Sequence, residues 1–108
     1  QQALKMAQRA TELSPNNATY LDTLAWVYYK LGRYEEAKRV MQQAMSFDKD
    51  KSSELALHYG DILDALGSTF MAQTYWRKAL ERGADAKIIE QRVEAQQQRL
   101  NSEKGGKK

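Results

Sequence analysis

The sequence predicts an all-α fold, a stack of antiparallel helix pairs, and three observations predict it. First, Leu21, Leu24, Ala25 and Tyr28 recur at i, i+3, i+4 and i+7, which places them on one face of a helix. Second, Ala37, Val40, Met41 and Ala44 repeat that spacing beyond Gly32, so two apolar stripes that neither helix buries alone are joined by a glycine turn. Third, the unit recurs. Ala3 and Ala10 stand 34 residues before Ala37 and Ala44, while Gly67, Ala72 and Ala79 stand 35 residues after Gly32, Ala37 and Ala44, as if one residue were inserted near Ser52.

The elements follow in order. Residues 1–13 carry Ala3, Met6, Ala7 and Ala10 on one face and align with the second helix of a pair whose first helix is missing. The expectation is a piece of a larger protein, with part of that apolar face uncovered or covered by a neighbouring chain. Ser14-Pro15-Asn16-Asn17 is a turn, with Pro15 unable to continue a helix and Asn17 placed to cap the next. A helix over about 18–31 ends at Gly32, where a positive φ is expected. Its partner runs over about 34–47, and Asp48-Lys49-Asp50-Lys51 is a charged loop. Ser52 or Ser53 caps a helix ending near Leu66, and Gly60 within it is the small residue that lets two helices approach closely. Ser68 or Thr69 caps the partner helix, whose stripe is Ala72, Tyr75, Trp76 and Ala79. Asp85 opens a last helix over about 86–100 with few apolar residues, Ile88, Ile89, Val93 and Leu100, as a terminal helix with one solvated face should have. Two glycines and three lysines in the last eight residues predict a disordered tail.

A period of about 34 residues, helix-turn-helix, with small residues at fixed places resembles the tetratricopeptide repeat family. The residues that carry the resemblance are Leu24-Ala25, Tyr28, Gly32, Tyr34, Ala37 and Ala44 in the central repeat. They are Tyr59-Gly60, Leu63, Gly67, Ala72 and Ala79 in the next, and Ala3, Ala10 and Pro15 in the preceding half repeat. Lys49 departs from the family, which places proline there. The resemblance implies a right-handed superhelix of about two and a half repeats plus a C-terminal capping helix. The repeat domain is then 1–101, divided as 1–17, 18–51, 52–84 and the capping helix 85–101, with a tail over 102–108. The wording around Leu21–Gly32 and His58–Leu63 looks like the C-terminal repeats of large bacterial proteins of this family. Some of those are cytoplasmic and others exported or lipid-anchored, which leaves the compartment open.

Composition and motifs restrict the chemistry. No run approaches the ~20 apolar residues that span a bilayer. The absence of cysteine removes disulfides, thiol catalysis and cysteine-bound metals, and the net charge of +3 is mild, with residues 52–84 slightly acidic. An enzyme needs a nucleophile, a base and a stabilising group converging on one place, and the chain offers one histidine. His58, Asp61 and Asp64 share a helical face, but one nitrogen ligand without a second cluster falls short of the sets that hold zinc or iron. Ser52 and Ser53 occupy capping positions without nucleophile-elbow glycines. The expectation is a non-catalytic chain with no metal and no cofactor. RNA binding, known in other helical-repeat families, is disfavoured by Asp22, Glu54, Asp61 and Asp64 in the candidate groove.

The resemblance implies a protein-interaction scaffold whose concave groove, lined by the first helix of each repeat, receives a peptide or helix of a partner protein. Carried over in register, the groove residues are Thr19, Asp22, Thr23, Trp26, Tyr29 and Lys30 on the central repeat. On the next they are Glu54, Leu57, His58, Asp61, Asp64 and Ala65, with Ile88, Gln91 and Arg92 closing the groove from the last helix. Trp26 lies off the apolar stripe, beside Tyr29. It is either a rigid aromatic anchor for a partner or packs against the previous repeat or the missing helix. Capture of a chaperone's terminal carboxylate, known in the family, is disfavoured because Asp22, Trp26, His58 and Ile88 stand at the matching places and only Arg92 is basic. The alternative function is a structural or self-association module, acting through the uncovered N-terminal helix.

Overall fold

The computed structural model describes residues 1–105. Among these, the secondary structure is entirely helical: α1 (Gln2–Leu13), α2 (Ala18–Lys30), α3 (Tyr34–Phe47), α4 (Ser53–Ala65), α5 (Thr69–Glu81) and α6 (Ala86–Gly105). Connections of three to five residues force neighbouring helices to run antiparallel. The α2/α3 and α4/α5 pairs form the two most extensive contacts, and the stack is elongated, measuring 51 × 31 × 18 Å.

Local chemistry sets the boundaries. Asn17 Oδ1 accepts from the Tyr20 amide at 3.0 Å, and Ser52 Oγ accepts from the Glu54 and Leu55 amides. Each supplies an oxygen to amides that have no partner inside the helix. Ser68 occupies the equivalent place before α5 but makes no side-chain cap. Gly32 and Gly67 have φ of +78° and +85°, and the amide after each bonds back into the helix just ended, Arg33 to the Tyr28 carbonyl and Ser68 to the Leu63 carbonyl, both at 2.9 Å. That closure requires a left-handed residue, which a side chain disfavours by roughly 1–2 kcal/mol. The residue inserted near Ser52 is absorbed in the 48–52 loop. There Lys51 takes a positive φ of 52°, and Asp48 Oδ2 accepts from the Ser52 amide at 2.7 Å.

Leu21, Leu24, Ala25 and Tyr28 of α2 are buried together with Ala37, Met41 and Ala44 of α3. Ala56, Tyr59 and Leu63 of α4 are buried with Ala72, Trp76 and Ala79 of α5. The buried alanines keep the helix axes close, and Gly60 lets α4 approach Trp76 of α5. A Cβ at Gly60 would stand 2.5 Å from Trp76 Cδ1. Trp76 is 1% exposed, as its place in the stripe predicts.

The last helix departs from expectation in two ways. It continues to Gly105, so the tail predicted for 102–108 is helical over 102–105, and residues 106–108 lie outside the described residues. No proline or glycine falls between Ala86 and Lys104, and the Gln97 amide reaches the Asn101 side chain at 3.4 Å across the expected end. Second, α6 docks largely through polar side chains. Gln96 is fully buried, donating to Asp64 Oδ1 at 2.8 Å and to the Thr69 carbonyl at 3.4 Å, and accepting from Gln73 Nε2 at 2.6 Å.

Candidate binding groove

The residues expected to line a groove lie on α2, α4 and α6, and the structure sorts them into two groups. The first is an aromatic row. Trp26 and Tyr29, three residues apart on α2, stack with ring centroids 4.6 Å apart and planes within 12°. His58 of α4 stacks on Trp26 at 4.2 Å, and Tyr34, at the start of α3, tilts against Tyr29 at 5.5 Å. Lys30 Nζ stands 5.4 Å from the Trp26 ring centre, a cation over an aromatic face. Trp26 is half-buried and leans on the following repeat through His58.

The histidine is fixed from both sides. Its Nδ1 lies 2.7 Å from Asp22 Oδ1, so the Nδ1 hydrogen donates to that carboxylate, and its Nε2 faces Glu54 Oε1 at 4.0 Å. Asp22, Glu54 and His58 thus bring three donor atoms within 4.8 Å of one another. With the Nδ1 hydrogen given to Asp22, the free lone pair of the ring lies on Nε2, on the Glu54 side.

The second group is a polar cluster at the α6 end. Asp61 is 5% exposed; its Oδ1 accepts from Trp76 Nε1 at 3.0 Å and from Arg92 Nε at 2.9 Å, and its Oδ2 from a terminal Arg92 nitrogen at 3.3 Å. Asp64 accepts from Gln96 and from Arg99, the latter at 2.6 and 3.2 Å. The bond to Asp64 raises the pKa of Arg99 above its ordinary value. Tyr29 is held above the ordinary phenol value, first by burial and then by the negative charge of Asp61, so it keeps its hydroxyl hydrogen.

Asp22 and Asp61 therefore do not line an open surface as expected. Both are buried because each has a donor within hydrogen-bond reach inside the chain, and a paired carboxylate tolerates burial that a free one does not. Asp64 and Arg92 remain partly exposed but are turned to each other's helices. Thr19, Thr23, Lys30, Glu54, Ala65, Ile88 and Gln91 are exposed, and Leu57 is half-buried. His58, Asp61 and Asp64 share a helical face but turn to different partners, Asp61 and Asp64 to α6 and His58 to Asp22. Tyr34, Gln96 and Arg99 belong to this region without having been expected there. The only sequence signal for Tyr34 was its aromatic ring just past Gly32.

Comparison with known proteins places the chain. The tetratricopeptide repeat profile matches residues 1–50. A search of curated sequences returns no match. Among solved structures, the first tetratricopeptide domain of Spaghetti (RPAP3), bound to the HSP90 peptide SRMEEVD, superimposes with a TM-score of 0.79 at 15% identity, over 91% of this chain and 77% of that one. The tetratricopeptide domain of Sgt2 from Aspergillus fumigatus gives 0.78 at 18% identity, over 97% and 70%. An O-GlcNAc transferase from Thermobaculum terrenum gives 0.78 at 20% identity, over 86% of this chain but 18% of that longer one. At these identities the likeness is one of fold, and the same fold occurs as a small part of an enzyme.

Proposed function

Because residues 1–50 carry tetratricopeptide repeats and the described chain has the fold of tetratricopeptide domains, we propose that it is a non-catalytic protein-interaction scaffold. In this reading a peptide or helix of a partner protein lies along α2 and α4, against the Tyr34–Tyr29–Trp26–His58 row. The observation that carries it is Trp26, a large aromatic that is neither in the core nor loose. Its ring is pre-set by two stacking neighbours, so a partner loses little side-chain freedom in docking on it.

The charges favour a ligand that is not a free carboxylate. Arg92 and Arg99, the cations nearest the groove's α6 end, are already paired with Asp61 and Asp64. Lys30 is the exposed cation beside the aromatic row. A peptide presenting an apolar or aromatic side chain to Trp26 and an acidic residue to Lys30 fits best.

Peptides selected from a displayed library test this. The two tryptophans provide an internal control, because Trp76 is sealed in the core and Trp26 is not. Bound peptide should move the Trp26 indole N–H resonance and leave that of Trp76 in place. Trp26→Ala should weaken binding at least about 30-fold, the loss of a hot spot of about 2 kcal/mol, and Lys30→Glu should weaken acidic peptides selectively. Binding that survives Trp26→Ala, or peptides that shift neither indole, would remove the groove from the function.

A further inference from the structure

The imidazole of His58 is held in place from two sides. Asp22 Oδ1 accepts the Nδ1 hydrogen at 2.7 Å, and the Trp26 ring stacks on one face at 4.2 Å. The His58 and Asp22 side chains are 15% and 10% exposed, so the pair is enclosed by the two repeats that supply it. A hydrogen bond at one ring nitrogen fixes the tautomer and leaves the lone pair on the other. That lone pair, on Nε2, meets Glu54 Oε1 at 4.0 Å, Glu54 standing one turn earlier on α4. Two acceptors therefore face each other, and among the described residues the hydrogen bond made by the ring is the one at Nδ1. A gap of that kind suits a cation.

We infer that His58 Nε2 and Glu54 bind a divalent transition-metal ion, with Asp22 as the positioning residue behind the imidazole. An imidazole nitrogen with a carboxylate oxygen suits Zn²⁺, Cu²⁺ or Ni²⁺, whereas Mg²⁺ and Ca²⁺ take oxygen ligands. Two ligands each ~2.1 Å from a tetrahedral ion stand ~3.4 Å apart, so the 4.0 Å gap has only to close by about half an ångström. The Glu54 side chain, 70% exposed, supplies that by a small rotation. A carboxylate on the far nitrogen of a metal-bound histidine orients the ring and makes it a better ligand, which is the place Asp22 occupies. The charges of Asp22 and Glu54 together balance a dication, and the donor atoms of the three residues lie within 4.8 Å of one another. Two protein ligands fill half of a tetrahedral shell. The ion is thus exchangeable and keeps water at its other positions, unlike the four-ligand structural sites that the composition excludes. Asp61 and Asp64 take no part, being bound to α6.

His58 is the chain's one histidine, which makes its ring an unambiguous reporter. The probe is Zn²⁺ added to the 108-residue chain, followed by NMR of the His58 ring and the two indole N–H groups, with Mg²⁺ at the same concentrations as control. One equivalent should bind. The His58 ring and the Trp26 indole stacked on it should shift, while the Trp76 indole, held in the core by Asp61, should not. Glu54→Gln and His58→Gln should each weaken zinc binding at least about tenfold with helicity unchanged. Asp22→Asn still accepts the Nδ1 hydrogen but has lost its charge, and should weaken binding about tenfold. A purely structural Asp22 would lower Tm without moving the zinc affinity. Should Asp22→Asn fail to fold, the exposed Glu54→Gln still decides the matter. Zinc bound equally well by the wild type and by Glu54→Gln overturns the inference. So does a His58 ring that responds no more to Zn²⁺ than to Mg²⁺ up to about 1 mM, which would leave a proton as the cation in the gap.

Discussion

Replacing Gly60 by alanine tests the close approach of α4 to α5. The added Cβ would lie 2.5 Å from Trp76 Cδ1, 2.6 Å from Trp76 Nε1 and 3.1 Å from the Ala72 carbonyl oxygen, so an indole packed on all sides must move. Overpacking of this kind costs about 1–3 kcal/mol. Displacing the indole also stretches its 3.0 Å bond to Asp61, and a hydrogen bond to a charged group contributes about 1.5–3 kcal/mol. Against this, alanine is favoured over glycine inside a helix by about 1 kcal/mol. The expected net loss is about 2–4 kcal/mol, a fall in Tm of roughly 10 °C or more for a chain of this size. Urea denaturation followed by tryptophan emission measures it. The same substitution in a Trp76→Phe background meets a smaller ring with no N–H to displace, and should there be close to neutral. An equal loss in both backgrounds would show that the strain does not pass through Trp76, and the packing argument would fail.

Two further outcomes follow from the polar contacts. Asp61→Asn leaves an acceptor for Trp76 but removes the charge opposite Arg92; a loss of about 1–2 kcal/mol is expected, reduced from the value of a buried pair because Arg92 is 38% exposed. Arg92→Met should lose less, and the double variant should show coupling of at least about 0.5 kcal/mol in a thermodynamic cycle, additivity being the result that contradicts the pairing. The raised pKa of Tyr29 sets an alkaline limit: its contribution is complete below the unfolded phenol value of about 10 and is lost as pH rises through the higher folded value, because the unfolded chain ionises first. Tm should therefore fall less between pH 9 and pH 11 in Tyr29→Phe than in the wild type, and parallel curves would mean that burial does not hold the phenol neutral.

What the sequence made legible was what is decided within a few residues. The cap at Asn17, the cap at Ser52 and the left-handed glycines at 32 and 67 are local events, and the apolar periodicity around them needs no knowledge of a partner. Trp76 was legible too, since its stripe is shared with Ala72 and Ala79. Other features depend on residues far apart in the chain. Asp61 reads as an exposed carboxylate until Arg92, 31 residues away, and the Trp76 indole are seen beside it. Gln96 reads as one more glutamine on a polar helix, and only the packing of α6 against Thr69, Gln73 and Asp64 makes it the buried one. For Trp26 the periodicity placed the ring off the core stripe but could not supply His58, whose contact spans two helices.

The way α6 is attached has a consequence in time. The inner helices are joined by interlocked apolar side chains, which release only when a large part of the molecule opens at once. The attachment of α6 leans on carboxylate–guanidinium and amide contacts, around the single buried apolar side chain of Ile89. Such contacts exchange readily for contacts with water. Amide exchange should therefore divide the chain into two cooperative units, with the amides of α6 exchanging through a low-energy local opening and those of α2 to α5 only through global unfolding. Added salt, which screens the half-exposed Arg99–Asp64 pair, should speed the first and leave the second nearly unchanged.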